Sequence, residues 1–123
     1  MKSNPVGWFE IYVKDMNRMV KFYEAIFMTT LQKLNNPELD LRAFPMAKGE
    51  TGASGALVHM PDFPLKGNNT VIYFTCEDCA AELSRVPSNG GTIQKEKFSI
   101  GEYGFIALAM DPEHNMFGLH STK

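Results

Sequence analysis

Apolar and polar residues along this chain follow two periods, and each change of period marks an element. From about Val6 to Val13 the period is two. Phe9, Ile11 and Val13 form one wholly apolar face, and Trp8, Glu10 and Tyr12 form the other. The period then lengthens to that of a helix, from Asp15 as N-cap through Phe27. Met16, Met19, Val20, Tyr23, Ile26 and Phe27 make its apolar stripe, with Arg18, Lys21 and Glu24 toward water. Three strands are expected next, at about Thr29–Leu34, Leu41–Met46 and Gly55–Met60. They are separated by the turn Asn35-Asn36-Pro37 and the loop Lys48–Gly52. The stretch Pro61–Asn69 is rich in turn formers and reads as a linker.

The second half repeats the first. Its opening strand alternates Ile72, Phe74 and Cys76 against Val71, Tyr73 and Thr75, and a shorter helix is expected over Asp78–Val86, ended by Pro87 and Gly90-Gly91. Strands follow at about Thr92–Lys97, Phe105–Met110 and Asn115–His120, the last two joined by a tight turn over Asp111–Asn115. Trp8–Asp15 is echoed by Val71–Asp78, and Gly55-Ala56-Leu57 by Gly118-Leu119-His120 at the same spacing. Thr30-Leu31-Gln32-Lys33 is echoed by Thr92-Ile93-Gln94-Lys95. The pattern predicts an α+β fold of two βαβββ modules, about 5–60 and 70–121 with the linker at about 61–69. Together they would form a single domain whose curved sheet encloses a cup.

Composition narrows the function. A length of 123 residues suffices for one core, and a net charge of −2 offers no basic surface for nucleic acid. No apolar run approaches the ~20 residues that span a bilayer. The start, Met1-Lys2-Ser3-Asn4-Pro5, leads into an alternating strand and not an apolar run, so no signal peptide and a cytoplasmic location are expected. The two cysteines form Cys76-Glu77-Asp78-Cys79. Acidic residues between them oppose thiolate formation, and no further ligand pair exists for zinc. The expectation is structural: Cys76 faces the helix and Cys79 lies on its buried side.

Several of these residues resemble the glyoxalase, bleomycin-resistance and extradiol-dioxygenase superfamily, also called vicinal oxygen chelate proteins. Val13-Lys14-Asp15 followed by Phe22-Tyr23-Glu24 is similar to its strand-to-helix signature. Asp111-Pro112-Glu113-His114-Asn115-Met116-Phe117-Gly118-Leu119 resembles its closing hairpin. Trp8-Phe9-Glu10, Ile100–Ala107 and Gly118-Leu119-His120-Ser121 look most like a bacterial branch named for its relation to lactoylglutathione lyase. The family hairpin has Gly where this chain has His114. That slot often needs a positive φ, which His adopts only at a cost.

The resemblance implies paired βαβββ modules and, in the family's enzymes, a divalent metal held by His, Gln or Glu from the first and last strand of each module. Carried onto this sequence, the ligand positions are Trp8, Val71, Gly118 and either Gly55 or, if the register slips by one, Ala56. None has a side-chain donor, so no metal and no cofactor are expected, nor the metal-dependent lactoylglutathione lyase reaction. Glu10 and His120 are expected to face the cup two residues from the lost positions, and His59 to face away.

Trp8, Tyr12, Tyr73, Thr75 and Met116 would line the cup, and Tyr103 in the Ile100–Gly104 loop would close one rim. The mixture suits a small molecule. One reading is metal-free binding of an aromatic or planar metabolite or drug. The alternative is a metal-independent isomerase or lyase with Glu10 as general base, its pKa raised by the aromatic surroundings, and His120 as acid. The plainer reading of Glu10 is a structural hydrogen-bond acceptor. A homodimer, with no membrane or nucleic-acid partner, completes the expectation.

Overall fold

The computed structural model describes residues 2–62 and 69–123, the side chain of Ile26 excepted. Most of the expected linker therefore lies outside the described residues. The chain divides into two compact units, Trp8–Thr70 and Val71–Lys123, the second joined by the chain start up to Gly7.

The first unit contains β1 (Val6–Tyr12), α1 (Met16–Phe27), β2 (Gln32–Leu34), β3 (Asp40–Ala43) and β4 (Ser54–His59). Its strands run in the order β2-β3-β4-β1, with β1 parallel to β4 and the other pairs antiparallel. Asp15 caps α1 as expected, its carboxylate accepting the Arg18 N–H at 3.1 Å. Val13, Met16, Leu31 and Leu57 form the buried core, with Ile11, Met19, Val20, Tyr23 and Phe44 against it. The apolar face of β1 thus meets the apolar stripe of α1.

The end of α1 departs from the periodicity. Phe27 is 61% exposed and not part of the buried stripe. The helix stops because Met28 turns left-handed at φ 51°, its N–H donating to the Glu24 carbonyl. Glu24 does not face water either: it is half-buried, and Oε2 accepts the Leu31 N–H at 2.8 Å. That side-chain bond takes a donor from the strand ladder, and β2 begins only at Gln32 instead of Thr29. Likewise β3 ends at Ala43, leaving Met46 outside it and half-exposed.

The second unit repeats the plan with β5 (Thr70–Thr75), α2 (Cys79–Ser84), β6 (Thr92–Ser99), β7 (Phe105–Met110) and β8 (Met116–Ser121), ordered β5-β8-β7-β6. Cys79, Leu83, Ala107, Ala109 and Leu119 are its core, packed by Phe74, Cys76, Val86, Ile93, Phe105 and Phe117. Helix α2 is shorter than expected. Its last N–H bonds shift to the three-residue pattern at Arg85, and Pro87 starts a separate 3-10 turn over Pro87–Asn89. Ile72, expected on the helix side, is 41% exposed, because so short a helix covers only Phe74 and Cys76 of that face.

One hydrogen bond identifies the two halves as copies. The Val13 N–H donates to the Val58 carbonyl at 2.8 Å, and the Cys76 N–H to the His120 carbonyl at 2.8 Å. The ladders fix the register. Ile11 lies opposite Leu57 and Phe74 opposite Leu119, each pair entering its own helix-side core. Leu57 therefore corresponds to Leu119, a spacing one position shorter than that between Trp8 and Val71. The partner of Gly118 is Ala56, not Gly55.

His114 does occupy the left-handed region, at φ 67°. Its turn is held by Asp111, whose Oδ1 accepts from the N–H groups of Glu113 and Asn115 at 2.8 and 2.9 Å and whose Oδ2 accepts from the Asn115 side-chain amide at 2.9 Å.

Candidate small-molecule site

In the first unit, Trp8, Glu10 and Tyr12 project from β1 on the face away from α1, as period two requires. Opposite them on β4 stand Ser54, Ala56 and Val58, and beyond these Leu41 and Ala43 on β3. Ala43, Ala56 and Val58 are buried, so the floor is apolar and closely packed. The three β1 side chains are joined. The Trp8 indole N–H donates to Glu10 Oε2 at 3.3 Å, and the Tyr12 hydroxyl donates to Glu10 Oε1 at 3.0 Å. Each carboxylate oxygen is thus held by an aromatic donor, which fixes the rotamer.

Ser54 is turned to the backbone: its hydroxyl lies 3.2 Å from the Phe44 carbonyl and 3.0 Å from that of Pro45, and donates to them. Arg42 and Lys33 have the opposite parity to the Glu10 face, and Arg42 pairs with Asp40 through Nε to Oδ1 at 2.8 Å. His59 also has the opposite parity; its Nδ1–H donates to the Val13 carbonyl at 3.0 Å, which makes it a strand-end brace.

A residue that sequence reasoning missed stands beside this group. The Asn69 carbonyl accepts the Tyr12 N–H at 2.7 Å, and the Asn69 side-chain oxygen is buried without a hydrogen-bond partner among the described residues. In the sequence Asn69 closes a run of turn formers, and nothing there distinguishes it from its neighbours.

In the second unit the corresponding face carries Val71, Tyr73 and Thr75 from β5 and Met116, Gly118 and His120 from β8. Tyr73 is buried and lies over Gly118: a Cβ on that glycine would collide with the ring edge at Cδ1 and Cε1. Thr75 is exposed and Met116 half-buried. The His120 Nε2–H donates to the Tyr103 carbonyl at 2.6 Å, since a carbonyl can only accept. Tyr103 is half-exposed in a 3-10 turn over Gly101–Tyr103. That turn is tied down: the Ile100 N–H donates to the Gly104 carbonyl at 2.8 Å, and a Cβ at Gly104 would collide with the Ser121 carbonyl.

The cysteines take the structural role. Cys79 is buried in the core. The Cys76 thiol is pushed up to about 11, first by burial and then by the Glu82 carboxylate, which opposes a nucleophilic or redox function at neutral pH.

An α+β chain of two βαβββ copies, with a polar and aromatic group on the sheet face opposite the helix, defines a class of duplicated α+β folds. Residues 6–119 match the Glyoxalase/Bleomycin resistance protein/Dioxygenase superfamily, and the chain belongs to it. No curated protein matches the sequence. Among solved structures, the chain is similar to a hypothetical protein from Bacillus halodurans C-125 at TM-score 0.75 and 12% identity, covering 99% of this chain and 96% of that one. It is also similar to a methylmalonyl-CoA epimerase in complex with methylmalonyl-CoA and NH4+ at 0.68 and 14%, covering 96% and 94%. The Mycobacterium tuberculosis methylmalonyl-CoA epimerase gives 0.68 and 14%, covering 97% and 88%. At these identities the likeness is one of fold.

The residues at the positions that the resemblance assigns to metal ligands do not have the chemistry of a metal centre. Trp8, Val71, Ala56 and Gly118 supply no carboxylate, imidazole or amide oxygen, and the space over Gly118 is filled by the Tyr73 ring. Among the described residues no three His, Cys, Asp or Glu side chains form a group that could hold a metal ion. Among them, too, no helix is long and apolar enough to cross a membrane.

Proposed function

We propose that this protein binds a small planar or aromatic metabolite or drug on the Trp8–Glu10–Tyr12 face, without a metal and without turnover. The carrying observation is the pair of hydrogen bonds that hold the Glu10 carboxylate between an indole and a phenol over an apolar floor. Such a group offers stacking surface and one oriented polar anchor, the combination that small-molecule sites use. The complex of a fold relative with methylmalonyl-CoA supports a small-molecule role for this architecture.

The reading with Glu10 as general base and His120 as acid is less well supported. Both Glu10 oxygens already accept hydrogen bonds, and the Nε2–H of His120 is given to a backbone carbonyl. A base would have to rearrange these bonds to take a proton.

Trp8 is the only tryptophan, so its fluorescence reports on this face alone. A metabolite and drug library is screened by thermal shift, and hits are titrated by Trp8 fluorescence. A ligand at a hundred times its Kd stabilises the fold by ~2.7 kcal/mol. Hits should quench or shift Trp8, weaken on Trp8→Ala, and emerge from incubation chemically unchanged. Conversion of a hit, abolished by Glu10→Gln, would transfer the case to the enzymatic reading. Equilibrium dialysis that found a tightly held divalent ion at Glu10 would end the metal-free one. The expected homodimer is tested by sedimentation equilibrium.

A further inference from the structure

The end of α1 leaves an uncharged aromatic surface in water. Phe22, Phe27 and Met28 are 52%, 61% and 92% exposed. We infer that two copies of the chain pair on this face, helix end against helix end across a two-fold axis. The inference names the contact of the expected homodimer and does not depend on the ligand reading.

Three observations carry it. The first is that these side chains form one anchored patch. The Phe22 ring meets Tyr23 edge to face at 5.1 Å, and the Phe27 ring lies within 11° of parallel to Tyr23 at 6.3 Å. Tyr23 meets Phe44 at 5.7 Å, and both pack against the buried core. Rings held this way lose little freedom when a partner covers them. The other exposed large apolar side chains, Val6, Met46, Met60, Ile72 and Tyr103, come singly along the sequence.

The second is Met28. It caps the helix at φ 51°, a conformation that glycine adopts without strain. A methionine there carries the strain and leaves nearly all of its side chain in water, so inside its own chain the side chain recovers nothing. Against a second copy it becomes apolar area removed from water, and a flexible thioether adapts well to such a contact.

The third is charge and area, which decide the occupant. From Phe22 to Met28 the one charged residue is Glu24, whose carboxylate turns inward to the Leu31 N–H. In a two-fold contact a patch faces its own copy, so a charge at its centre would meet a like charge. This patch presents none. The last turn of α1 also carries no basic residue, so an anionic membrane or acidic partner finds no cation there. Arg18 and Lys21, both exposed, lie nearer the helix start, where a polar rim belongs. At ~200 Å2 for a side chain of this size, the three exposed residues leave roughly 400 Å2 in water. Paired with its copy, the patch alone buries about 800 Å2, half of a standard interface, and leaves the other half to the rim.

Sedimentation equilibrium of the full chain over a range of concentrations is the test. The unaltered chain should be a dimer at micromolar concentration. Phe27→Ser and Met28→Gly should each weaken association at least about tenfold, and Ile72→Ser, an exposed apolar site in the second unit, should leave it within about twofold. Met28→Gly is the sharper variant. Measured below the dissociation constant, it relieves backbone strain in the single chain, so a weakened dimer cannot be ascribed to unfolding.

A chain that stays monomeric at high micromolar concentration overturns the pairing, and the expected homodimer with it. Pelleting of that monomer with vesicles of phosphatidylcholine and phosphatidylserine would assign the face to a membrane instead. A dimer untouched by both Phe27→Ser and Met28→Gly keeps the homodimer and overturns this face. Weakening by Ile72→Ser alone moves the contact to the second unit and overturns it equally.

Discussion

Gly118→Ala tests the packing of the Tyr73 ring over the glycine backbone. The added methyl would stand 2.8 Å from Tyr73 Cγ and closer still to Cδ1 and Cε1, far inside van der Waals contact. The ring cannot swing away freely, because Tyr73 is only 5% exposed and Cγ, its root, is among the atoms struck. Overpacking of this kind costs ~1–3 kcal/mol. At about 3–5 °C per kcal/mol for a chain of this size, Tm should fall by about 3–15 °C. Thermal and urea unfolding of wild type, Gly118→Ala, Tyr73→Leu and the double variant complete a cycle. Once the ring is gone the methyl has room, so Gly118→Ala should cost at least ~1 kcal/mol less in the Tyr73→Leu background. Additive losses would mean that Tyr73 does not occupy the space over Gly118, and this packing would be refuted.

Other outcomes follow from single residues. Cys76 should react with a thiol reagent at pH 7.5 about a hundredfold more slowly than a thiol of pKa 9.0, since its own is about 11, and Glu82→Gln should speed it. The folded pKa is the higher one, so the contribution of Cys76 to stability is present below pH 9.0 and lost as pH rises through about 11. The carboxyls of Asp78 and Asp111 are held below 3.8, the first chiefly by Lys97 and the second chiefly by Asn115. Their contributions are therefore present above pH 3.8 and lost as acid protonates the folded state. Asp78→Asn with Asp111→Asn should flatten the stability curve in that range. His114→Gly and Met28→Gly each relieve a left-handed residue, and each should raise stability in urea by up to ~1 kcal/mol after the entropy of the added glycine is charged against it.

The sequence by itself determined the plan. Period two followed by a helical period, twice, yields two βαβββ copies because each face of a strand or helix must choose between a core and its opposite side. It also placed Trp8, Glu10 and Tyr12 on one face, since parity along a strand leaves no other choice. Even the one-residue slip was present: Thr30-Leu31-Gln32-Lys33 and Thr92-Ile93-Gln94-Lys95 stand one position closer together than Trp8 and Val71 do. The hydrogen-bond ladder alone decided between the two spacings for the last strand, because only pairing shows which residue lies opposite which.

Tertiary structure decided what periodicity cannot carry. Phe27 fits the helical stripe yet stands in water, because the chain turns at Met28 before anything covers it. Glu24 reads as a surface residue but accepts a backbone donor from Leu31. In the sequence Glu10 reads as base, anchor or structural acceptor. Its clamp between Trp8 and Tyr12, like the buried acceptor on Asn69, depends on rotamers and on chain segments brought together in space. Hydrophobic period is a local property of order along the chain. Hydrogen-bond satisfaction belongs to the folded neighbourhood, and there the chemistry of this site was set.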